Sequence, residues 1–444
     1  MIGPPLESMN LPYLTADLPG IAALYKCRPE DFEVEEIAAY APGGAGDHVF
    51  FAVEKRGLTT LDAVRSLARA LGVAPRQVGY AGMKDAQGVT RQMLSLEHVD
   101  PARIESLELP GLRVLWVARH RNKLRIGHLA GNRFGVKLRE VEPGGAETVR
   151  ATLAVLEARG LPNLFGEQRF GARGDTWQIG RALMRGDAAE AVALILGRPG
   201  PRDRGAVRRA RELFDAGRFE EAARAWPGSF RDAIRLARAM ARGGGKPGRA
   251  LRALPRPLLR LYTSAWQSFL FNAVLDERIS TLDQVLEGDL AWRHQNGAVF
   301  LVEDPLAEAP RAARQEISPS GPLFGPRMSW PRGVPAEIER GVLEREGCAP
   351  EDFESRGTLA WQGGRRPLRV PLRELELREG ADHAGPFLEL RFALPPGSYA
   401  TALLRELLKD RGGACAGPVT GDPRRSRAQP PQGPAGRRES QERG

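Results

Sequence analysis

The stretch "GYAGMKDAQGVTRQ", residues 79–92, sets a cation and a carboxylate side by side at Lys84 and Asp85, just past two glycines. Gly79 to Met83 reads as a strand ending in a tight turn, because glycine tolerates backbone angles that other residues avoid. Asp85 would follow that turn. A carboxylate there can cap a helix or accept backbone donors, or it can react as a nucleophile. The stretch holds no second carboxylate, histidine or thiol, so both roles stay open at this point.

Other polar and aromatic residues stand at the ends of expected strands. "KCRPEDFEVEEI" puts Lys26 and Phe32 around the start of a strand, and "GNRFGVKLR" does the same with Asn132 and Phe134. "LPNLFGEQRFG" gathers Gly, Asn, Phe and Arg in a loop, and "LPPGSYAT" places Tyr399 on a turn at a helix start. Taken singly, each aromatic reads better as core and Lys26 as a solvated surface residue.

The elements that would position them follow from periodicity. "DFEVEEI" and "HVFFAVEKRG" alternate as strands around the turn "APGGAGD", and "RVLWVARH" and "NRFGVKLREV" read as further strands. "TTLDAVRSLARALGV" reads as a helix with Thr60 as N-cap and an apolar face of Leu61, Val64, Leu67, Ala68 and Leu71. "GAETVRATLAVLEARG" reads as a helix closed by Gly160. After residue 163 the texture turns to short helices rich in Ala and Arg. Strand patterning returns in "PLRVPLRELEL" and "PFLELRFAL", before a final helix "YATALLRELLKD". The expected layout is an α+β domain over 1–162 and 364–410, an inserted, mainly helical domain over 163–363, and a disordered basic tail over 411–444.

Composition narrows the chemistry. The 444 residues carry a net charge of +10, which suggests a polyanionic partner. Between Arg198 and Arg252 there are 15 basic and 6 acidic residues, a net of +9, and Arg208, Arg209 and Arg211 are candidate phosphate contacts there. Cys27, Cys348 and Cys415 lie far apart with no CxxC pair, the six histidines form no zinc motif, and no phosphate-binding GxxxxGK[ST] occurs. No metal or cofactor is therefore expected. Without a membrane-spanning run or a secretory signal, the protein is expected to be cytoplasmic.

In this order, "KCRPEDFEVEEI", "GYAGMKDAQGVTRQ", "GNRFGVKLR", "GLPNLFGEQRFG" and "FALPPGSYATALLREL" resemble the TruD family of tRNA pseudouridine synthases, and "LYTSAWQSFLFNAVL" is similar to a further family stretch. Gly88 stands where the family usually has Ala, and Trp266 where Tyr is commoner. The resemblance implies a circularly permuted pseudouridine synthase core with a family-specific insertion, and RNA held in the cleft between them. It implies Asp85 as nucleophile, Lys26 beside it, and Phe32, Asn132, Phe134 and Tyr399 lining the substrate pocket. It further implies tRNA as partner and uridine 13 as target, by a chain expected to act as a monomer without membrane or cofactor. An RNA-binding or tRNA-folding protein that keeps this fold without the chemistry is the alternative, and Asp85 being intact argues against it.

Overall fold

A computed structural model of the chain describes residues 11–84, 86–354 and 361–415; Asp85 lies outside the described residues. The first part runs β1 (Leu24–Tyr25), β2 (Phe32–Ala38), β3 (His48–Arg56), α1 (Thr60–Leu71), β4 (Gly79–Tyr80) and β5 (Val89–Glu97). It continues through α2 (Pro101–Glu105), β6 (Leu112–His120), β7 (Leu129–Arg139) and α3 (Gly145–Arg159) to β8 (Leu161–Pro162). Helices follow: α4 (Thr176–Met184), α5 (Ala188–Leu196), α6 (Gly205–Asp215), α7 (Phe219–Ala225), α8 (Arg231–Arg242), α9 (Pro247–Ala250) and α10 (Arg256–Glu277). Then come β9 (Leu290–Arg293), β10 (Val299–Leu301), α11 (Pro305–Ala313), β11 (Ile317–Leu323), α12 (Gly333–Arg345) and β12 (Gly364–Pro367). The chain closes with β13 (Arg369–Val370), β14 (Arg373–Asp382), β15 (Gly385–Leu394), α13 (Ala400–Leu408) and β16 (Gly413–Ala414).

The main sheet has the order β14-β15-β7-β2-β5-β3-β6, with β1, β4 and β16 joined at its side. Strands from both ends of the chain thus share one sheet. β15 sets Phe392 beside Phe134 and Leu394 beside Asn132. The chain leaves through β8 and returns through β13, and these two pair antiparallel. β12 pairs antiparallel with β11 in a separate four-stranded sheet of order β10-β9-β11-β12. That small sheet is absent from the sequence reading. Its strand β11 reads "ISPSGPL", with two prolines that sheets rarely admit. It is tolerated because β11 changes partner midway, pairing with β9 over 317–319 and with β12 over 320–323.

The pairing places Val34 beside both Thr90 and Phe134, so Phe32, Val34 and Glu36 share a sheet face with Thr90, Gln92 and Leu94. Two apolar clusters lie on that face. One packs Phe32, Val34, Phe134 and Val136 under α3 and α13. The other packs Phe51, Val53, Leu94 and Leu96 under α1. The inward residues between the clusters are polar. α1 also corrects two sequence expectations. Thr59, not Thr60, caps it by accepting from Asp62 N at 3.1 Å, and Leu61 is exposed. Thr60 is buried and turned toward the polar gap.

Residues 411–415, expected in the tail, are ordered. β16 pairs parallel with β1, and Cys415 forms a disulfide with Cys27. The rest of the tail lies outside the described residues.

The turn leading into β2 is held by a buried ion cluster. Arg139 Nε donates to both oxygens of Asp31 at 2.9 Å, and its Nη1 and Nη2 donate to Asp382 at 3.1 and 2.9 Å. Asp31 also accepts from Arg28 N at 3.0 Å. The Arg139 guanidinium, with help from the Ala384 N–H, holds the Asp382 carboxyl well below the usual carboxylate range. Arg139→Leu would leave Asp31 buried without a counter-charge, and we expect a loss of about 3–5 kcal/mol in urea unfolding. A depressed folded pKa stabilises above the unfolded value and that stabilisation is lost as pH falls. Wild type should therefore lose more stability than the variant between about pH 5 and pH 2; parallel losses would remove Asp382 from this role.

Candidate active site

The polar gap on the sheet face is filled from β2, β3, β5, β7, α1 and the loop after β4. Lys84, in the loop after β4, is buried; its Nζ lies 3.0 Å from Glu36 Oε2 and donates to Asn132 Oδ1 at 2.6 Å. Glu36 and Asn132 are directly opposite each other in the β2–β7 pairing, which is why one lysine reaches both. The Lys84 backbone is fixed as well. Its N–H donates to Thr60 Oγ1 at 2.8 Å, and its carbonyl accepts from Lys55 Nζ at 3.4 Å. Thr60 Oγ1 in turn donates to Gln92 Oε1 at 2.9 Å. Residue 84, immediately before Asp85, is thus anchored at its amide, its carbonyl and its side chain.

On the other side of Asp85, Gly88 runs against β2. A Cβ at Gly88 would lie 2.4 Å from the Phe32 carbonyl oxygen, so the alanine usual at this position would not fit without movement.

Lys26 follows β1 with a positive φ of 56°, a backbone state that costs a non-glycine residue about 1–2 kcal/mol. Its Nζ stands 4.1 Å from the centre of the Phe32 ring, a cation–π distance. Phe32 lies 6.4 Å from Phe134, and Phe134 stacks on Phe392 at 5.2 Å. Both Phe32 and Phe134 are buried within the apolar cluster under α3 and α13. The structure therefore brings Lys26, Phe32 and Phe134 together, with Asn132 further along the same strand. Tyr399 stands apart from them. It occupies the N-cap position of α13, is 37% exposed, and its ring faces Phe165 at 6.3 Å.

The three arginines of the insertion separate. Arg208 and Arg209 are exposed on α6, with Arg208 Nε donating to Glu212 at 3.1 Å. Arg211 is buried. Its Nη1 donates to the carbonyls of Gly197 and Leu194 at 2.6 and 3.3 Å, its Nε lies 3.3 Å from Asp203, and it rests over Trp226. Arg211 is thereby corrected from a phosphate contact to a structural residue, because its guanidinium is used inside the helical cluster.

Glu36, Lys55 and Gln92 escape sequence inspection, and Lys84 and Thr60 are visible there only as the neighbour of Asp85 and a helix cap. The available signal was Glu36, which continues the inward register of Phe32 and Val34 with a charge that burial must neutralise.

With this geometry in hand, comparison with known proteins is decisive. The family model described as tRNA pseudouridine synthase D (TruD) matches residues 8–407. The chain belongs to the TruD family. The tRNA pseudouridine synthase D of Geobacter sulfurreducens is 50% identical over 401 residues, covering 90% of this chain and 97% of that protein. That of Anaeromyxobacter dehalogenans is 40% identical over 407 residues, covering 90% and 97%. A crystal structure from Methanosarcina mazei, assigned as a tRNA pseudouridine synthase D (TruD), superposes with a TM-score of 0.77 at 28% identity, covering 92% of this chain and 99% of that one. Among the described residues, no group of three or more His, Cys, Asp or Glu could hold a metal ion, and no helix is long and apolar enough to cross a membrane.

Two outcomes follow from this arrangement. Glu36→Gln would leave the Lys84 charge buried, and should cost about 3–5 kcal/mol in urea unfolding. The pair Glu36→Leu with Lys84→Met should recover most of that loss, and a double variant no more stable than the single one would contradict a buried ion pair. Arg211→Leu should likewise destabilise by about 3–5 kcal/mol, while Arg209→Gln stays within about 0.5 kcal/mol of wild type. Equal melting of those two variants would return Arg211 to the surface set.

Proposed function

We propose that this TruD-family chain isomerises uridine 13 of tRNA to pseudouridine, with Asp85 as the nucleophile. The observation that carries the reading is the anchoring of residue 84 by Thr60, Lys55, Glu36 and Asn132. A reacting carboxylate has to be positioned, and the residue before Asp85 is held at its amide, its carbonyl and its side chain.

In the reaction the bond from ribose C1′ to uracil N1 breaks, the base turns, and C1′ bonds to C5; the C5 proton is lost and N1 gains one. No electrons are exchanged with another molecule, so the chemistry calls for no redox cofactor. A free aspartate has a pKa near ~3.9 and is ionised at neutral pH. Asp85 attacks the sugar or assists release of the base, and Lys26 orients it and offsets desolvation of its charge. Tyr399 offers an exposed ring on which a detached uracil stacks, worth about 1–3 kcal/mol while permitting rotation. Phe32 and Phe134 form the apolar floor on this reading, and Asn132, already committed to Lys84, holds the floor's polar end. The exposed Arg208 and Arg209 grip RNA phosphates from the insertion. Transfer RNA is the partner, and the cytoplasm is where we place the reaction.

Asp85→Asn should abolish pseudouridine formation in a single-turnover assay while tRNA affinity stays within about tenfold, or ~1.4 kcal/mol. Mapping of tRNA treated with the wild-type protein should show the new pseudouridine at position 13. Residual turnover by the variant would remove Asp85 from the central role, and a modified uridine elsewhere would overturn the site assignment alone.

A further inference from the structure

Two guanidinium groups meet where the insertion joins the main sheet. Arg169 is oriented by α10, its Nε donating to Ser268 Oγ at 3.0 Å and its Nη2 to Ser264 Oγ at 2.6 Å. Arg366 on β12 donates through Nη2 to Asn163 Oδ1 at 2.6 Å and to the Asn163 carbonyl at 3.1 Å. The Phe165 ring lies against both, 4.2 Å from the Arg366 guanidinium carbon and 5.9 Å from that of Arg169. Phe165 is itself locked, since Asn272 accepts from its N–H and donates to its carbonyl, both at 2.9 Å.

Neither arginine has a carboxylate partner among the described residues, and in each the Nη1 group has no protein acceptor there. Burial lowers both guanidinium pKa values, that of Arg366 to about 10, and the nearby Arg169 adds to the drop. Both remain charged at neutral pH. Arg369, also lowered to about 10 by burial, shows the contrast. Its three nitrogens donate to Ser318 Oγ and to the carbonyls of Arg159 and Ala312, so it is satisfied within the fold. Two part-buried like charges with neutral partners and an open arm each are stabilised by an anion.

The open arm of Arg366 faces the turn before α13. A Cβ at Gly397 would lie 3.4 Å from Arg366 Nη1, and at Gly166 3.0 Å from Thr401 Oγ1. Ser398 Oγ is buried there without a hydrogen-bond partner. The turn leads directly into the N-terminus of α13, which has no side-chain cap. Tyr399, across Phe165, marks the direction of the exposed surface.

We propose that Arg169 and Arg366 form a phosphodiester-binding subsite that holds the RNA backbone next to the nucleotide facing Tyr399. This rests on the RNA-modifying reading above, but its test does not depend on the chemistry. Two full-length variants, Arg169→Gln and Arg366→Gln, are compared with wild type for binding to a tRNA transcript across a salt series. Arg169→Lys serves as the conservative variant, and melting verifies folding of each. Charge-assisted hydrogen bonds imply that each Gln variant binds roughly tenfold to a hundredfold more weakly. The slope of log affinity against log salt should fall by about 0.7–0.9 for each phosphate that is no longer neutralised. Arg169→Lys, which keeps the charge, should keep most of the slope. Inorganic phosphate, as a probe, should raise the melting temperature of wild type but not of Arg169→Gln. Unchanged affinity and slope in a folded Gln variant would overturn the subsite. So would weaker binding at an unaltered slope, which would make the pair a packing element. Phosphate stabilisation with full RNA affinity retained in the variants would mean a free-anion site and overturn the RNA assignment. If wild type binds tRNA with these slopes but forms no pseudouridine, the isomerase reading fails and the subsite stands.

Discussion

The ion pair between Lys84 and Glu36 forms where water is excluded, their side chains being 5% and 2% exposed. A lone charge in such a place costs several kcal/mol, so neither residue can be buried without the other. This ties two parts of the fold together. β2 must pair with β7 in the register that sets Glu36 opposite Asn132, and the loop after β4 must cross over both. A slip of one residue would turn Glu36 to the opposite face together with Phe32 and Val34. The apolar clusters under α3 and α13 on one side, and under α1 on the other, exclude the solvent that would otherwise screen the pair. Thr60 and Lys55 then fix the backbone whose side chain the pair has fixed.

Much of the main sheet was legible in the sequence: β2 and β7 alternate in burial, and β3, though buried on both faces, is a run of apolar residues closed by a charged end. β2, β3, β6 and β7 fall on the strands read from "DFEVEEI", "HVFFAVEKRG", "RVLWVARH" and "NRFGVKLREV". α3 ends at Gly160 as expected, and α13 starts just after Tyr399. Where the reading failed, a local rule gave way to a distant partner. Thr60 looks like a cap, but its hydroxyl is taken by Lys84 and Gln92, leaving the cap to Thr59. β11 breaks the usual strand composition because its two halves serve different neighbours.

The cysteines make the same point from the other direction. Spacing rules ask about pairs close in sequence, yet Cys27 and Cys415 are 388 residues apart and bonded. What joins them is the parallel pairing of β1 with β16, which sets Tyr25 beside Ala414 and so draws the residues that follow each strand together. The bond fastens the residue next to Lys26 to the residue that follows β16.

Charge shows most clearly what a sequence count can and cannot reveal. The excess between Arg198 and Arg252 points to a polyanion, but several of these arginines are engaged within the protein. Arg198 pairs with Glu190, Arg208 with Glu212, Arg218 with Glu221 and Arg235 with Asp232, while Arg211 is buried over Trp226. Exposed pairs of this kind contribute about 0–1 kcal/mol and exchange partners readily, so they remain available to phosphate. Arg169 and Arg366 are the opposite case. They lie outside the charge-rich segment, and nothing in their composition or spacing separates them from Arg369, whose nitrogens are all engaged. What distinguishes them is an unfilled valence: a part-buried cation placed by neutral oxygens, with Nη1 of each, and Nε of Arg366, left without a protein acceptor among the described residues. In a protein with 65 lysines and arginines, the informative cations are those without a carboxylate partner among the described residues.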